Sequence, residues 1–500
     1  MNRAAPLAPR AASWPHRAIA IELCALAVVL AAFGATVIGV ISIGSPLHWD
    51  EAVYAVRARS WVDPEAVLSG WSYIRPPLLP MVAGIPVLAG GAEWQLRALG
   101  LVAGSGLLLG SWWMGRMLAG AVGGVLAAAL LAGSPTLLKE SETLLTDVPA
   151  AALLLAASAL VWWSLDERPK PGRGLALAAA VGGLAFLMRY GSVVVLAPMA
   201  FVTVALWWRK VWAHRGASAA ALAVAAALVV GHVAWSMMQT GAPLGILIDA
   251  QNVVSGDPRD VPIRDYRGYL PSRLAGSIGA TAMRLGVDSL AAAALAAALW
   301  PRWRRELRGA VFLVIPALAQ IYLVTRGVGH AEPRFFIYST ACLIIAGAAL
   351  VAAVLRIVPP ILRWPLLALI GVSLVIAAPA AIDDAHARTE DIARYYHRFE
   401  VAARQIEAEA GPDCGIVGGG YPILAWYSGC ETNILRTPPG GNLEAHERWA
   451  VLFWDPDEID LGERAVAVIA DAAVAGPLII TDPTSGSDVA IAWRLRPSGR

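Results

Sequence analysis

Leu47-His48-Trp49-Asp50-Glu51-Ala52-Val53-Tyr54 follows directly on the first long apolar run of the chain, Ala18 to Gly44. It sets two adjacent carboxylates at the mouth of a membrane span, where ionisable groups are costly and mark functional sites. Before that run the chain holds Arg3, Arg10 and Arg17 and no acid. The run is too long for the core of a cleaved signal, so it reads as a retained first helix with a cytoplasmic N-terminus. Asp50 and Glu51 then emerge on the outer side.

The composition agrees with a multi-pass membrane protein. The 500 residues are 58% hydrophobic and 15% charged, with a mean hydropathy of +0.60, more apolar surface than a soluble core of this length hides. A net charge of +2, with no basic run interleaved with aromatics, argues against nucleic acid as a partner. Runs of about 20 apolar residues, enough to cross a bilayer, occur near 18–44, 97–118, 121–138, 147–165, 173–190, 192–208, 217–238, 282–300, 309–326, 334–355 and 361–381. That makes about eleven transmembrane helices. The stretch 78–91 is short and rich in Pro and Gly. If it does not cross, the basic clusters at Arg116, Arg168 to Arg173, Arg209 to Arg215, Arg302 to Arg308 and Arg356 to Arg363 all face the cytoplasm. It is therefore read as interfacial or re-entrant.

That parity gives the outer face the first loop, 45–96, the turn Lys139 to Asp147, Arg189-Tyr190, the loop 239–281, and the turn from Arg326 to Arg334. It also receives the tail 382–500, which follows the membrane domain 1–381. In the tail, strand-like runs at Ile416-Val417, 450–454, 465–469 and 478–480 follow a helical stretch at 391–410, which predicts a small extracytoplasmic α/β domain. Gly418-Gly419-Gly420 lacks the spacing and the Lys of a phosphate loop and reads as a turn. Cys414 and Cys430 lie in this tail and can pair if it is external. Cys24 and Cys342 lie in spans and read as inert core residues.

The chemistry-bearing residues collect on the outer face. A carboxylate in a membrane-facing cleft can take the proton of an attacking acceptor, and Asp50 is placed for that. The bland alternative is that Asp50 and Glu51 only cap the following helix, but His48, Trp49, Tyr54 and Arg57 surround them with ligand-contacting side-chain types. In Tyr73-Ile74-Arg75-Pro76-Pro77-Leu78 a guanidinium precedes two prolines that hold the chain extended; its planar fork suits phosphate oxygens at headgroup depth. Asp147 opens a span as an N-cap or as a site residue. Arg189, His330, Glu332 and Arg334 bind a phosphate or diphosphate leaving group, or else snorkel to lipid headgroups. Hard divalent cations prefer carboxylate oxygens, so Asp50, Glu51 and Asp147 are candidate metal ligands, although no spacing rule supports them. No HExxH, Walker A, GxSxG or paired CxxC occurs where it would work, and no other cofactor is implied.

As a series, these motifs resemble the polytopic glycosyltransferases of the C superfamily (GT-C), in particular the protein-mannosyltransferase and aminoarabinose-transferase group. The matching residues are Asp50-Glu51 with Tyr54, Arg75-Pro76-Pro77-Leu78, Arg97, Thr146-Asp147-Val148 and Glu332-Pro333-Arg334-Phe335. The resemblance covers roughly the first 380 residues. It implies a helical membrane domain with an external soluble appendage, and a hexosyl- or pentosyltransferase of the plasma (inner) membrane. The donor would be a polyprenyl-phosphate sugar and the acceptor an extracytoplasmic glycan, lipid or protein. Asp50 would be the base, Arg75 the phosphate contact, and Asp147, Glu332 and Arg334 would support the donor. Two departures stand out. Arg75 replaces the group's Lys or His, and Ile74 replaces an acid common in aminoarabinose transferases, which makes lipid A a poor acceptor.

Two readings compete with the enzyme. A lipid-linked-sugar transporter or flippase would also carry intramembrane charge, but near the midplane and in two similar halves. A non-catalytic envelope scaffold would use the tail as its binding module.

Overall fold

A computed structural model describes residues 16–40, 45–63, 75–168, 171–248, 304–327, 332–411, 414–433, 447–453, 469, 473–474 and 476–495. The span expected at 282–300, His330 and most of the strand expected at 465–469 lie outside the described residues.

With no water in a bilayer core, a spanning segment must satisfy its own backbone, so the apolar runs become helices. They are α1 (His16–Val40), α4 (Glu93–Ala132), α6 (Asp147–Trp162), α7 (Gly174–Met188), α8 (Val193–Ala213), α9 (Arg215–Thr240), α10 (Arg304–Gly327), α11 (Ile337–Ile357) and α12 (Pro360–Ala410). The shorter α2 (Trp49–Val62), α3 (Leu78–Leu88) and α5 (Pro135–Ser141) lie between them. Among the described residues, 7 helices are long and apolar enough to cross a membrane, and the protein is a multi-pass membrane protein. Exposed Ile21, Val28, Phe201 and Leu222 suit contact with lipid tails. Cys24, expected in the core, lies on the exposed face of α1, whereas Cys342 is buried.

Two expected spans, 97–118 and 121–138, are the halves of α4, which kinks at Gly120 with φ 81°, a left-handed conformation that glycine adopts without penalty. The second half stops at Ala132, short of 138, and Pro135 restarts the chain as α5. A proline suits the first position of a helix, where no backbone donor is lost. The 11 residues of α3 extend about 16 Å, roughly half a hydrocarbon core, and α3 packs against α2.

The bundle interior is apolar, built around Leu107, Met114, Leu155, Trp162, Phe312 and Ile344. Beyond it, at the end away from α2, Glu22 accepts from Arg116 Nε and Trp112 Nε1, both at 2.9 Å. Asp166 there accepts from Arg308 at 2.7 Å and from Trp207 Nε1 at 3.3 Å.

The 51-residue α12 runs unbroken from the last apolar stretch into the tail, through the expected domain boundary at 381/382. It leads to a five-stranded sheet in the order β2-β1-β3-β5-β4, with β1 (Cys414–Gly418), β2 (Glu431–Asn433), β3 (Glu447–Phe453), β4 (Leu478–Thr481) and β5 (Asp488–Leu495). β1 runs parallel to β2 and β3, while β5 is antiparallel to β3 and β4. α13 (Tyr421–Ser428) packs beside it, and Cys414 and Cys430 are disulfide-bonded. The glycine run at 418–420 is a turn: Gly420, at φ 65°, caps α13, and a Cβ there would stand 2.0 Å from the Phe399 ring. A single core joins Leu79, Ala52 and Tyr54 of the first loop to Phe399, Ile416, Ile423 and Trp449 of the tail.

Candidate active site

The site is built on the first turn of α2. His48 is its N-cap: the imidazole Nδ1 accepts from the Asp50 N–H at 3.2 Å, and Glu51 Oε2 accepts from the His48 N–H at 2.8 Å. This reciprocal arrangement is a capping box with histidine in the usual Ser/Thr position. Burial holds the imidazole pKa below its ordinary value, against the pull of Asp50 and Glu51, consistent with a ring nitrogen that serves as an acceptor. The ring packs edge-on against Tyr396 of α12 at 4.9 Å. Trp49 meets Tyr421 of the tail in the same way at 4.7 Å, and the Leu47 N–H donates to Tyr427 at 3.0 Å. The tail therefore clamps the loop that carries the two acids.

The adjacent carboxylates have different surroundings. Glu51 is 1% exposed. Its Oε1 accepts from Arg97 Nε at 3.1 Å and from the Leu144 N–H at 2.8 Å, and its Oε2 accepts from Arg97 Nη2 at 3.0 Å as well as from His48. A carboxylate offers about four acceptor sites, and all of them are used. Burial opposes its ionisation, but the Arg97 pair and the backbone donors hold its pKa below the usual range. Arg97 in turn donates to Pro46 O at 2.8 Å and to Ser45. The approach that brings Leu144 to Glu51 needs small residues on α4: a Cβ at Gly100 would stand 2.4 Å from Thr143 O.

Asp50, in contrast, is partly open. Arg75 Nη2 donates to its Oδ1 at 3.2 Å and Arg334 Nη2 to its Oδ2 at 3.0 Å. Burial alone would raise its pKa, but the two guanidinium groups prevail and hold it below the usual carboxylate range. Beneath the pair, the Arg75 guanidinium lies 5.9 Å from the Tyr54 ring, whose hydroxyl is 3.4 Å from Thr146 Oγ1. Burial raises the Tyr54 phenol above its ordinary pKa. Arg57 lies two turns further along α2, over Trp61 at 5.7 Å.

A second acid–base pair adjoins the first. Asp147, the first residue of α6 after the N-cap Thr146, is ion-paired with Arg189 at the end of α7. Phe335 links the two pairs, with Arg189 4.6 Å and Arg334 5.4 Å from its ring; Gln320 of α10 holds the Phe335 carbonyl at 2.8 Å. Glu332, half exposed, is ion-paired with Arg334, its Oε2 lying 2.8 Å from Nε.

Beside Arg334 lies a cavity of about 70 Å³. His48, Lys139, Glu140, Glu142, Glu332 and Thr389 contribute to its lining. Sequence reasoning placed Glu140 and Glu142 only in an outer turn. They are buried, and burial pushes their carboxyls up to about 7 and about 8 respectively. Thr389 of α12 donates to Glu142 Oε1 at 2.6 Å, while Oε2 has no hydrogen-bond partner among the described residues. Two acids separated by one residue at the end of a short loop helix, followed by Thr-Leu-Leu-Thr-Asp, were the available signal. Thr389 and Tyr396 carried none, because α12 reaches them from the far end of the chain.

The structure thus brings together Asp50, Arg75, Arg334, Glu332, Asp147, Arg189, Tyr54 and His48, keeps Glu51 beneath them in the scaffold, and leaves Arg57 to one side. Each of the candidate metal ligands Asp50, Glu51 and Asp147 is ion-paired with at least one guanidinium in this structure. Among the described residues no group of three or more His, Cys, Asp or Glu side chains is arranged to hold a metal.

Comparison with solved structures places this architecture. ArnT from Cupriavidus metallidurans bound to undecaprenyl phosphate matches with a TM-score of 0.64 at 13% identity, over 96% of this chain and 98% of that one. The Archaeoglobus fulgidus oligosaccharyltransferase in complex with Zn and sulfate matches with a TM-score of 0.56 at 13% identity, over 92% of this chain and 72% of that one. The chain has the GT-C fold. A complex of the archaeal oligosaccharyltransferase AglB, also from Archaeoglobus fulgidus, with an inhibitory peptide and a dolichol-phosphate matches at 12% identity with a TM-score of 0.56, over 95% of this chain and 74% of that one. Within this GT-C chain, residues 75–235 match the family described as Dolichyl-phosphate-mannose-protein mannosyltransferase, a stretch that begins at Arg75 and includes Asp147 and Arg189. No curated protein matches the chain.

Proposed function

We propose that the protein is a membrane glycosyltransferase that moves a sugar from a polyprenyl-phosphate donor to an extracytoplasmic glycan, lipid or protein, with inversion at the anomeric carbon. The observation that carries this reading is the gathering of Arg75, Arg334 and Arg189 around Asp50 and Asp147 at one end of a membrane bundle. Guanidinium forks suit phosphate oxygens, and a lipid tail leaving such a site enters the bilayer. The similar ArnT structure holds undecaprenyl phosphate and the similar AglB structure holds a dolichol-phosphate. The disulfide Cys414–Cys430 suits an oxidising compartment, which supports an external tail and a cytoplasmic N-terminus.

In the proposed step, an acceptor hydroxyl or amine attacks the anomeric carbon from the face opposite the phosphate. The bond from that carbon to the phosphate oxygen breaks, its electron pair departs with the phosphate, and Asp50 receives the acceptor's proton. Arginines already in place stabilise the charge growing on the leaving group. Glu51 builds the site and takes no proton, because its acceptor positions are full. A flippase reading gains little support from an apolar interior between charged ends.

The test uses a radiolabelled polyprenyl-phosphate sugar. Asp50→Asn should insert and accumulate yet fail to transfer, and full activity in that variant would refute the base assignment. A reporter fused after Gly411 should be active only outside the cytoplasm. A cytoplasmic signal would reverse the orientation.

A further inference from the structure

The two oxygens of Asp50 are bonded one each by Arg75 and Arg334, at 3.2 and 3.0 Å. This is the pattern that two guanidinium groups would make with the two non-bridging oxygens of a phosphodiester. The carboxylate therefore engages the two guanidinium groups that the proposed donor's phosphate would use. In this state it is also a poor base, because both arginines favour its charged form. We infer that Asp50 is an internal stand-in for the donor phosphate, and that donor binding transfers Arg75 and Arg334 from Asp50 to the phosphate and so frees the carboxylate to accept the acceptor's proton.

The inference rests on the polyprenyl-phosphate reading and adds a coupling to it. The arginines have room to change partners. Arg75 and Asp50 are each about a fifth to a quarter exposed, at 25% and 21%, and Glu332 beside Arg334 gives it a second counter-charge. Glu51 cannot follow Asp50, since Arg97 and two backbone donors hold it. Linkage then requires reciprocity: if phosphate and ionised Asp50 compete for the same cations, phosphate raises the affinity of Asp50 for a proton, and removal of the Asp50 charge raises the affinity for phosphate. A base that works only when a donor is in place keeps proton abstraction tied to a productive complex.

The experiment is binding of undecaprenyl phosphate to the full-length protein in detergent or nanodiscs, for wild type and Asp50→Asn. Asn keeps the size of the side chain and removes its charge. The variant should bind on the order of 5- to 100-fold more tightly, the range of ordinary coupling between sites, although it does not transfer sugar. A carboxylate that merely shapes the site would give equal or weaker binding in the variant, and that result overturns the exchange while leaving the donor class intact. Absence of binding in both proteins overturns the donor class and the exchange together.

A second measurement needs no variant. The acidic limb of kcat/KM for the donor reports the free enzyme and that of kcat the donor complex; the limb should lie at higher pH in kcat. His48, Arg75 and Arg334 face Asp50, and Tyr54 of α2 and Tyr396 of α12 stand within its field. His48, which burial holds below the ordinary imidazole value, is the imidazole among them, so the limbs are compared in His48→Asn as well. Coincident limbs in both proteins refute the exchange.

Discussion

Replacing Glu51 by Ala separates architecture from chemistry at this site. The substitution leaves Arg97, 6% exposed, without its carboxylate. Breaking a buried ion pair from one side costs about 3–5 kcal/mol, since the remaining charge stays desolvated. It also strips the acceptor from the Leu144 N–H, at a fully buried residue, for about 1–3 kcal/mol more. Loss of the cap at His48 adds a little. These terms share one side chain and do not simply add, so the expected total is about 4–6 kcal/mol, comparable with the whole stability of many domains. Glu51→Gln keeps one acceptor oxygen and should lose about half of that. The assay is the fraction remaining monodisperse on size exclusion after heating in detergent, read beside the amount accumulated in membranes. Glu51→Ala should fall sharply on both, Glu51→Gln less so, and Asp50→Asn hardly at all. If Glu51→Ala accumulates and melts like wild type yet transfers no sugar, Glu51 belongs to the chemistry and the division drawn here is wrong.

Other expectations follow from the same geometry. Arg75→Gln should lower kcat by about 10²-fold, the cost of removing one donor aimed at developing charge, while Arg75→Lys should recover part of it by keeping the charge without the fork. Equal activity of all three proteins in the transfer assay would remove Arg75 from the phosphate site. Glu140 and Glu142, pushed up to about 7 and about 8 from 4.5, bind protons more tightly folded than unfolded. Their contribution is fully present below about pH 4.5 and lost as pH rises through 7 to 8. Melting temperature should thus fall between pH 5.5 and 9, and Glu142→Gln, which keeps an oxygen for Thr389, should flatten the fall; a wild-type curve that rises over that range contradicts the burial argument. Cys414→Ser opens a disulfide spanning 16 positions, worth about 3 kcal/mol for a loop of about that length. Because the tail shares a core with α2 and α3, tryptic cleavage should increase in the first loop as well as in the tail. Cleavage confined to the tail would show the two to be independent.

The membrane architecture was legible because its cause is local. Apolar runs must become helices in a bilayer. What escaped was set by turn residues that hydropathy overlooks or by contacts remote in sequence. The stop of α4 at Ala132 depends on Pro135, which hydropathy does not register. β5 alternates buried and exposed residues only imperfectly, and its pairing with β3 and β4 completes the sheet where the sequence showed a weak pattern. The raised carboxyls of Glu140 and Glu142 come from burial under α12, whose path through the domain boundary no local signal gives.

The same limit explains why Asp50 and Glu51 looked alike. Neighbouring residues on a helix do not face one another; at 3.6 residues per turn they point about 100° apart. One step along α2 therefore carries a carboxylate from the partly open arginines at 75 and 334 to the closed pair with Arg97, contributed by a residue 46 positions away. The motif type, two acids after a first span, reports that a site is present. Which acid is available for chemistry is decided by the partners that α4 and the α5–α6 connection bring to one side of the turn. Exchanging the two, Asp50→Glu with Glu51→Asp, keeps composition and charge but draws the buried carboxylate back by one methylene from Arg97 and Leu144. That double variant should lose stability in the heating assay as well as transfer. Retention of wild-type stability would show that the Glu51 cage tolerates a shorter acid, and that the division of labour lies elsewhere than in this geometry.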